Sequence, residues 1–291
     1  MKLLQFIDND QMKLGIKVNQ GIIDVQQFQN KTEFSFPSTI SELLENVNEG
    51  RSQLIKLIKY VEETNSSLLN VDEIEFGPVI DSPGKIICIG LNYIPHVKES
   101  NMKIPEYPVV FSKFNNTLTG HKHTIELPNV AEKYDYEAEL VVVMGKSGKD
   151  ISEEDALDYV LGYTIGNDVS ARDLQMLSGQ WLLGKTLNDF APVGPYLLMA
   201  EDVDPTNLDI ECKVNGELRQ SSNTKNMIFS CATLISYISK FVTLEPGDII
   251  FTGTPEGVIL GYSEEKQVWL KSGDQVEVSI SGLGSLVNTL K

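Results

Sequence analysis

Two glutamates stand two residues apart at the start of an apolar run, where Glu137 and Glu139 precede Val141 and Val143. Alternate side chains of a β-strand lie on one face, so these four side chains are predicted to share a face of one strand. Two carboxylates beside a buried apolar stripe repel each other and favour a bound cation. On its own, however, a Glu-x-Glu pair is more often a solvated strand end.

A third carboxylate, Asp168, follows a predicted strand and precedes a predicted helix. Together with Glu137 and Glu139, and with no cluster of His or Cys beside it, it favours a hard cation such as Mg²⁺ or Mn²⁺. On the helix that follows, Arg172 and Gln175 stand three residues apart and therefore on one face. Taken alone, a surface salt bridge explains that arginine equally well.

A histidine and a glutamate, His96 and Glu99, stand three residues apart in the segment 92–99. On one helical turn the carboxylate of Glu99 could orient the imidazole, and His96 could then act as a general base near neutral pH. Spacing alone favours an ordinary surface contact, because hydrogen-bond geometry decides whether a histidine can take up a proton.

Two turn-rich segments contain the small residues that are typical of anion-binding loops. One contains Gly184-Lys185 and is followed by the turn at 192–195; the other is the segment 252–258. Backbone N–H groups in such loops can approach a carboxylate closely. Neither segment has the spacing of a phosphate-binding P-loop, and either is equally consistent with an ordinary turn.

The first 82 residues are predicted to form a small α+β unit. Two short strands, near 14–18 and 21–25, are joined by a turn, and a helix follows in which apolar residues recur at spacings of three, four and seven. The segment 77–84 contains the Pro and Gly residues that are typical of a linker. We therefore predict two domains, residues 1–82 and residues 83–291.

From Lys85 onward the sequence changes to many short β-branched runs, which predict a catalytic domain that is mainly β, with antiparallel or mixed strands and a few helices. The expected fold class is therefore α+β. Helices are predicted to begin near Ser152, Ser170 and Ser230, and the first two serines are followed three residues later by Asp, as in a capping box. The predicted strands are 85–89, 109–113, 138–144, 163–166, 208–214, 248–252 and 275–280.

Composition disfavours several classes of function. The chain has 24 basic and 41 acidic residues and a formal charge of −17 at pH 7, which disfavours nucleic acid and anionic membrane surfaces as partners. Its three cysteines are widely separated and predict neither a disulfide framework nor a zinc cluster. The first residues turn polar too early for a signal peptide, and no stretch approaches the roughly 20 apolar residues of a membrane span. We therefore expect a cytoplasmic protein.

Six motifs occur in order along the chain: N-Y-x-x-H-x-x-E at 92–99, Y-E-x-E-L at 136–140, N-D-V-S-A-R-D-L-Q at 167–175, G-K at 184–185, P-x-G-P at 192–195 and T-G-T-P-x-G-V at 252–258. Together they resemble the fumarylacetoacetate hydrolase family, in particular its acylpyruvate hydrolase and oxaloacetate decarboxylase branch, over about residues 83–291. The resemblance implies a mixed β-sandwich or roll, usually in a homodimer. It also implies one Mg²⁺ or Mn²⁺ per subunit, held by Glu137, Glu139 and Asp168.

The same resemblance implies roles for seven other side chains. His96 and Glu99 match a catalytic dyad on a mobile segment of the family, and Lys185 matches a catalytic lysine. The positions that contact substrate in the family correspond here to Lys113, Arg172, Gln175 and Thr254.

Three functional hypotheses follow. A 2-oxo acid could present its carboxylate and keto oxygen to the metal, and cleavage between C3 and C4 would leave an enolate that the metal and Lys185 stabilise. The intact pair of His96 and Glu99 favours hydrolysis of a 3-acylpyruvate to pyruvate and a carboxylic acid. The alternative is decarboxylation of oxaloacetate, or isomerisation or decarboxylation of another 2-oxo diacid, at the same site. The third is a non-catalytic protein that binds a metal or an oxo acid, and the clustering of titratable groups argues against it.

Overall fold

The computed structural model describes all 291 residues and contains 18 strands and six α-helices. The helices are α1 (Ile40–Glu45), α2 (Val47–Glu63), α3 (Ile94–Glu99), α4 (Arg172–Gln175), α5 (Leu182–Lys185) and α6 (Cys231–Ser239). The strands are β1 (Lys2–Asp8), β2 (Gln11–Val18), β3 (Gly21–Asp24), β4 (Glu75–Phe76), β5 (Ile86–Gly90), β6 (Val109–Lys113), β7 (Leu118–Thr119), β8 (Thr124–Ile125), β9 (Tyr134–Asp135), β10 (Ala138–Met144), β11 (Val160–Asn167), β12 (Ser170–Ala171), β13 (Ala191–Met199), β14 (Asp209–Val214), β15 (Glu217–Asn223), β16 (Ile249–Phe251), β17 (Gln275–Ile280) and β18 (Gly284–Leu290).

Strands dominate the structure, so the predicted fold class, mainly β with a few helices, is confirmed. The larger sheet has 11 strands in the order β3-β2-β1-β13-β11-β10-β16-β5-β6, with β4 paired to β1 and β7 paired to β13. A second sheet has five strands in the order β15-β14-β17-β18-β8, and β9 pairs with β12. The structure contains no helix whose length and apolar character would allow it to cross a membrane.

Two apolar cores lie on the two faces of β10, all of whose seven residues are buried. Leu140 and Val142 belong to a cluster of 37 buried residues that includes strands β14, β17 and β18 of the smaller sheet. Val141 and Val143 belong to a second cluster of 25 buried residues, which includes residues of α2. The alternation along β10 therefore places Glu139 on the face of the second core.

The first strands of the chain do not form a sheet of their own. Strand β1 pairs with β13, where Leu3 lies opposite Leu197. Leu3 and Leu54 belong to the same buried cluster as Val141 and Phe251. The domain boundary between residues 82 and 83 stays a prediction, but the residues on its two sides share one sheet and one core.

Of the three helices predicted after residue 85, α6 forms where it was expected, and the hydroxyl of Ser230 caps it by accepting from the N–H of Thr233 at 3.1 Å. Near Ser152 the capping contact also forms, but only a short 3₁₀ turn follows at Ala156–Tyr159. The predicted helix is wrong because the β-branched run that begins at Val160 joins the sheet as β11. Pairing of β11 in the sheet thus outweighs the helix-capping signal at Ser152.

Polar side chains also affect where two other predicted helices begin. The hydroxyl of Ser170 donates to the backbone oxygen of Asp168, and Ser170 lies in β12, so α4 begins two residues later at Arg172 and forms a single turn. In the N-terminal region the expected single helix is divided between α1 and α2. There the side chain of Asn46 caps α2 by accepting from the N–H of Glu49.

Four segments of the chain meet at one edge of the larger sheet. Strands β10 and β11 are antiparallel with Ala138 opposite Asn167, so the start of β10 adjoins the end of β11. Strand β16 is antiparallel to β10 and parallel to β5, so β16 and β5 both end at this edge. The residues before β10 and those after β5, β11 and β16 are therefore brought together, and these segments contain most of the predicted site.

A core substitution in β1 tests whether the N-terminal strands stabilise the rest of the chain. Both tryptophans, Trp181 and Trp269, lie after residue 82 and report on that part of the protein. Leu3→Ala creates a cavity in the shared core, and we expect it to lower the free energy of unfolding by about 2–5 kcal/mol in a urea titration followed by tryptophan fluorescence. The exposed Leu218 supplies the matched control, Leu218→Ala, with an expected change within about 0.5 kcal/mol. An unshifted fluorescence transition in Leu3→Ala would show that the two regions unfold independently.

Candidate active site

Three buried carboxylates, those of Glu137, Glu139 and Asp168, meet at the sheet edge. One oxygen of each lies within 4.8 Å of the others. The antiparallel pairing of β10 and β11 brings them together, and the N–H of Asp168 donates to the backbone oxygen of Glu137 at 2.9 Å. The structure therefore brings together the three residues that the sequence predicts as metal ligands.

Three buried cationic side chains surround these carboxylates. Lys185 Nζ donates to Glu137 Oε2 at 2.6 Å and to Asp168 Oδ2 at 2.9 Å. Lys113 Nζ lies 2.6 Å from Asp168 Oδ1, without hydrogen-bond geometry. Arg172 contacts Glu137 Oε1 at 2.7 Å through a terminal guanidinium nitrogen. Each of these contacts neutralises part of the charge that burial makes costly.

The buried acidic groups still outnumber the cationic ones. Asp135 is also buried and accepts from Arg172 Nε at 2.8 Å, so four carboxylates face three cationic side chains. The remaining one is Glu139, whose Oε2 accepts from the backbone N–H of Gly253 at 2.7 Å. A buried carboxylate that lacks a counter-charge takes up a proton or a cation. The excess negative charge and the all-oxygen donor set fit a divalent cation such as Mg²⁺ or Mn²⁺.

The pKa shifts follow the same charge balance. Burial raises the pKa of Glu139 well above its usual value, and Asp168 and Glu137 raise it further. Burial also opposes the charge of Glu137, but Lys185 and Arg172 outweigh it and hold the pKa well below the usual range. Burial likewise opposes the charge of Lys185, yet Asp168 and Glu137 raise its pKa above the ordinary value. Lys185 therefore stays an ammonium group, and Glu139 is the carboxylate that lacks a counter-charge and takes up a proton or a cation.

Helix α3 places the predicted dyad beside these charges. His96 Nδ1 lies 2.8 Å from Glu99 Oε1, and the carboxylate of Glu99 also accepts from the backbone N–H of Gly257 at 2.9 Å. Gly261 leaves room for this carboxylate, since a Cβ there would lie 2.5 Å from Glu99 Cδ. A carboxylate at Nδ1 favours the tautomer with its proton on that nitrogen, so Nε2 of His96 is left as the proton acceptor.

One cavity of about 250 Å³ connects the dyad with the charged cluster. Glu139 and Asp168 are almost completely buried behind it. Seven of the ten predicted site residues line the cavity: His96, Glu99, Glu137, Arg172, Gln175, Lys185 and Thr254.

Lys113 lies behind Asp168 and does not line the cavity. Its Nζ donates to the backbone oxygens of Val169 at 3.0 Å and Phe190 at 2.6 Å. Asp168 adds an ion pair without hydrogen-bond geometry, and burial lowers the pKa of Lys113 despite that carboxylate. These contacts place Lys113 where it can fix Asp168, and its predicted contact with substrate stays a prediction.

Two polar side chains that line the cavity keep unused hydrogen-bond donors. Gln175 Oε1 accepts from the guanidinium of Arg172 at 2.9 Å, which leaves the amide N–H groups of Gln175 available. Thr254 Oγ1 accepts from Gln220 Nε2 at 2.9 Å, which leaves its own O–H to donate. Gln220 also binds the N–H of Ala138 at 3.0 Å. Sequence reasoning missed Gln220, since it lies on β15 far along the chain with no motif around it.

Asp135 is a second residue that sequence reasoning missed. Its carboxylate accepts from Arg172 Nε at 2.8 Å and from the backbone N–H groups of Tyr136 at 2.9 Å, Ile259 at 2.9 Å and Leu260 at 3.1 Å. It thereby joins the guanidinium to the loop after β16. Its position directly before the Tyr-Glu-x-Glu motif was the available signal.

Comparison with known proteins gives consistent results over the whole chain. Residues 85–291 match the family model described as fumarylacetoacetate (FAA) hydrolase C-terminal. The chain is similar to the oxaloacetate tautomerase of Xenopus laevis, with 43% identity over 295 residues that cover 99% of this chain and 89% of that protein. The name of that relative describes it as mitochondrial, so the cytoplasmic location expected here stays a prediction.

Solved structures are similar along the full length as well. The fumarylacetoacetate hydrolase of Exiguobacterium antarcticum superposes with a TM-score of 0.81 at 33% identity, covering 100% of this chain and 99% of that one. The 5-carboxymethyl-2-hydroxymuconate delta-isomerase of Mycobacterium smegmatis superposes with a TM-score of 0.76 at 30% identity, covering 100% and 98%. Both similarities include the first 82 residues, which the family model does not cover.

Neutralising one of the three clustered carboxylates should weaken metal binding. Asp168→Asn removes a negative charge while keeping the size of the side chain, and we expect Mn²⁺ to bind at least about tenfold more weakly in calorimetric titrations. Asp189→Asn is the matched control, because Asp189 lies outside the cavity and faces His123 at 3.9 Å. Equal Mn²⁺ affinity in wild type and folded Asp168→Asn would remove Asp168 from the metal site.

The role of Asp135 is testable through stability. Asp135→Asn deprives Arg172 of a buried ionic partner and places an amide among donors, and we expect the free energy of unfolding to fall by about 3–5 kcal/mol in urea titrations. The same Asp189→Asn control should change it by less than about 1 kcal/mol, because that side chain is partly exposed. A loss no greater than that of the control would show that Arg172 does not depend on Asp135.

Proposed function

Because the chain belongs to the fumarylacetoacetate hydrolase family, we propose that it is a divalent-metal-dependent enzyme that interconverts the enol and keto forms of oxaloacetate or a closely related 2-oxo diacid. The observation that carries this proposal is the single cavity lined both by His96, with its imidazole oriented by Glu99, and by the cationic Lys185 and Arg172. The name of the Xenopus laevis relative supports the choice of substrate.

Tautomerisation requires one proton to move between C3 and the oxygen on C2. In the direction from keto to enol, Nε2 of His96 takes a proton from C3, the C–H electron pair forms the C2–C3 double bond, and the C2 oxygen becomes negative. The His96 imidazolium then gives its proton to that oxygen, which completes the enol and restores the neutral imidazole, and the reverse order gives the keto form. No water or second substrate is consumed. Glu99 stabilises the imidazolium that forms in between.

The developing charge on the C2 oxygen is stabilised by groups that are already fixed in place. Lys185 is held as an ammonium by Glu137 and Asp168, and Arg172 is oriented by Asp135. Fixed cationic donors in a buried site lower the energy of an enolate, because they need no reorganisation as the charge appears. A divalent cation held by Glu137, Glu139 and Asp168 would polarise the C2 carbonyl and acidify the hydrogens on C3.

The cavity suits a short diacid in size and charge. Its volume of about 250 Å³ lies below the range of about 300–1,000 Å³ that is common for larger ligands. Arg172 and Lys185 supply positive charge, and the free donors of Gln175 and Thr254 supply hydrogen bonds for carboxylate oxygens. These features support a doubly negative substrate despite the acidic composition of the chain.

Hydrolysis of a 3-acylpyruvate, the reaction first expected from the sequence, stays the second candidate. The solved structure named fumarylacetoacetate hydrolase supports it at 33% identity. In that reaction His96 would activate water for attack on the distal carbonyl, and the bond between C3 and C4 would break. Both reactions produce an enolate on the same oxygen, so Lys185 and Arg172 serve either of them.

We also propose that the protein forms a homodimer. Strand β6 is an edge strand of the larger sheet, so one side of its backbone has no partner strand within this chain. An exposed strand edge favours pairing with another chain. Light scattering coupled to size-exclusion chromatography would measure the molar mass directly, and a monomer at micromolar concentration would contradict the proposal.

His96→Ala tests the proton transfer. We expect the kcat for conversion of the oxaloacetate enol to fall by about 10² to 10⁴, the usual effect of removing a positioned general base. The measurement is the decay of enol absorbance at saturating Mn²⁺, and the matched control is His123→Ala, because His123 lies outside the cavity. A loss below about tenfold would remove His96 from the proposed chemistry.

A second assay of the wild-type protein distinguishes oxaloacetate tautomerisation from acylpyruvate hydrolysis. Acetylpyruvate is supplied under identical conditions and the release of pyruvate is followed. Release of pyruvate with a kcat/KM above that of oxaloacetate tautomerisation would make hydrolysis the principal activity. Tautomerisation with no pyruvate released would support the first proposal.

A further inference from the structure

Two aromatic side chains separate the catalytic cavity from a second, larger cavity. Phe111 and Trp181 line both of them. This second cavity is an open groove with a volume of about 990 Å³ and is lined mainly by apolar residues, including the exposed Val110, Phe114 and Phe241. The rings of Phe111 and Trp181 pack edge to face, with centroids 5.4 Å apart and an interplanar angle of 69°. The partition between the two cavities is therefore formed by one pair of side chains.

The position of Trp181 is fixed relative to the charged groups. Trp181 is the N-cap of α5 and stands four residues before Lys185, so both side chains lie on one face of the turn. A Cβ at Gly184 would lie 2.4 Å from the backbone nitrogen of Gln175, which shows how closely α5 packs on α4. On the opposite side, a Cβ at Gly90 would lie 2.6 Å from Cζ3 of Trp181. The indole is thus in direct contact with the backbone of β5.

Phe111 places the partition next to the proposed reaction centre. Lys185 Nζ lies 5.1 Å from the centroid of the Phe111 ring, within the range of a cation–π contact. A substrate oxygen bound by Lys185 therefore lies close to this ring. Trp181 lines the same cavity as Phe111 and Lys185, so the indole lies on the boundary that a longer substituent of the substrate would meet.

We propose that Phe111 and Trp181 determine substrate length by closing the catalytic cavity against the apolar one. In this arrangement the wild-type protein accepts 2-oxo acids with a short chain and rejects those with a long apolar chain. Removal of the indole opens the end of the cavity and admits longer chains. The inference rests on the proposed function, because it assumes that the cavity binds a 2-oxo acid.

A series of unreactive ligands tests the partition formed by Phe111 and Trp181 without relying on turnover. Oxamate is an analogue of a 2-oxo acid, and N-propyl and N-hexyl oxamate extend it with apolar carbons. Their affinities are measured by calorimetry on the Mn²⁺-loaded full chain. For wild type we expect N-hexyl oxamate to bind at least tenfold more weakly than oxamate. For Trp181→Ala we expect the order to reverse, with about a fourfold gain for each methylene that becomes buried.

Three further variants make the test specific. Trp181→Phe should retain most of the discrimination, since an aromatic ring still closes the cavity. Phe111→Leu removes the other aromatic ring of the partition and should also relax the limit on substrate length. Phe241→Ala is the control, because Phe241 lines only the apolar cavity and is largely exposed, and it should keep the wild-type order. Circular dichroism spectra that match wild type establish that each variant is folded.

The possible outcomes separate the inference from the proposed function. One outcome is that oxamate binds wild type, while the folded Trp181→Ala and Phe111→Leu variants keep the wild-type order of affinities. The proposed role of the partition is then overturned, and the 2-oxo acid site stands. If oxamate itself fails to bind Mn²⁺-loaded wild type, the proposed function fails, and the inference fails with it. A reversed order of affinities in Trp181→Ala, together with an unchanged order in Phe241→Ala, supports the proposed role of the partition.

Discussion

Burial of four carboxylates at one sheet edge is the constraint on which the rest of the site depends. Removing a single carboxylate from water costs several kcal/mol, so each needs a counter-charge or a proton. Asp135, Glu137 and Asp168 obtain theirs from Arg172, Lys185 and Lys113. Glu139 does not, and its raised pKa expresses that deficit. A proton on Glu139 would remove the deficit of one charge, and a divalent cation would more than offset it.

The backbone around the cluster is shaped by the same need. The register of β10 and β11 brings the start of one strand against the end of the other. Gly253 has a φ of 99°, a conformation that other residues rarely adopt, and it turns its N–H toward Glu139. Gly184 lets α5 pack against α4, so that Lys185 reaches between Glu137 and Asp168. A larger side chain at either glycine would therefore disturb the charge balance.

Much of this arrangement could be predicted from the sequence, for physical reasons that vary by element. Strands β6, β10 and β17 begin and end where they were predicted, because their apolar runs are local signals. Near Ser152 only a 3₁₀ turn forms, and near Ser170 the helix begins at Arg172 after a short strand, because sheet pairing competes with local capping.

Contacts between residues that lie far apart in the sequence could not be predicted. Glu137, Glu139 and Asp168 were recognised because their types and spacing suit a cation, and the structure brings them together. The contacts of Lys113 with Val169 and Phe190 span 56 and 77 positions, and those of Asp135 with Ile259 and Leu260 span 124 and 125. No local pattern encodes such pairings, and the joining of β1 to β13 is of the same kind.

The choice among reactions depends on what surrounds the enolate and not on how it is stabilised. Tautomerisation, decarboxylation and acylpyruvate hydrolysis all place negative charge on the C2 oxygen, and Lys185 and Arg172 would stabilise it equally in each. Hydrolysis also needs a water molecule beside Nε2 of His96, whereas tautomerisation needs C3 of the substrate there. The hydrogen bond from Gly257 to Glu99 holds α3 against the loop after β16, and Phe111 and Trp181 close the other end. The group that occupies the space beside Nε2 of His96 therefore decides which reaction occurs, whereas Lys185 and Arg172 serve the enolate that all three reactions share.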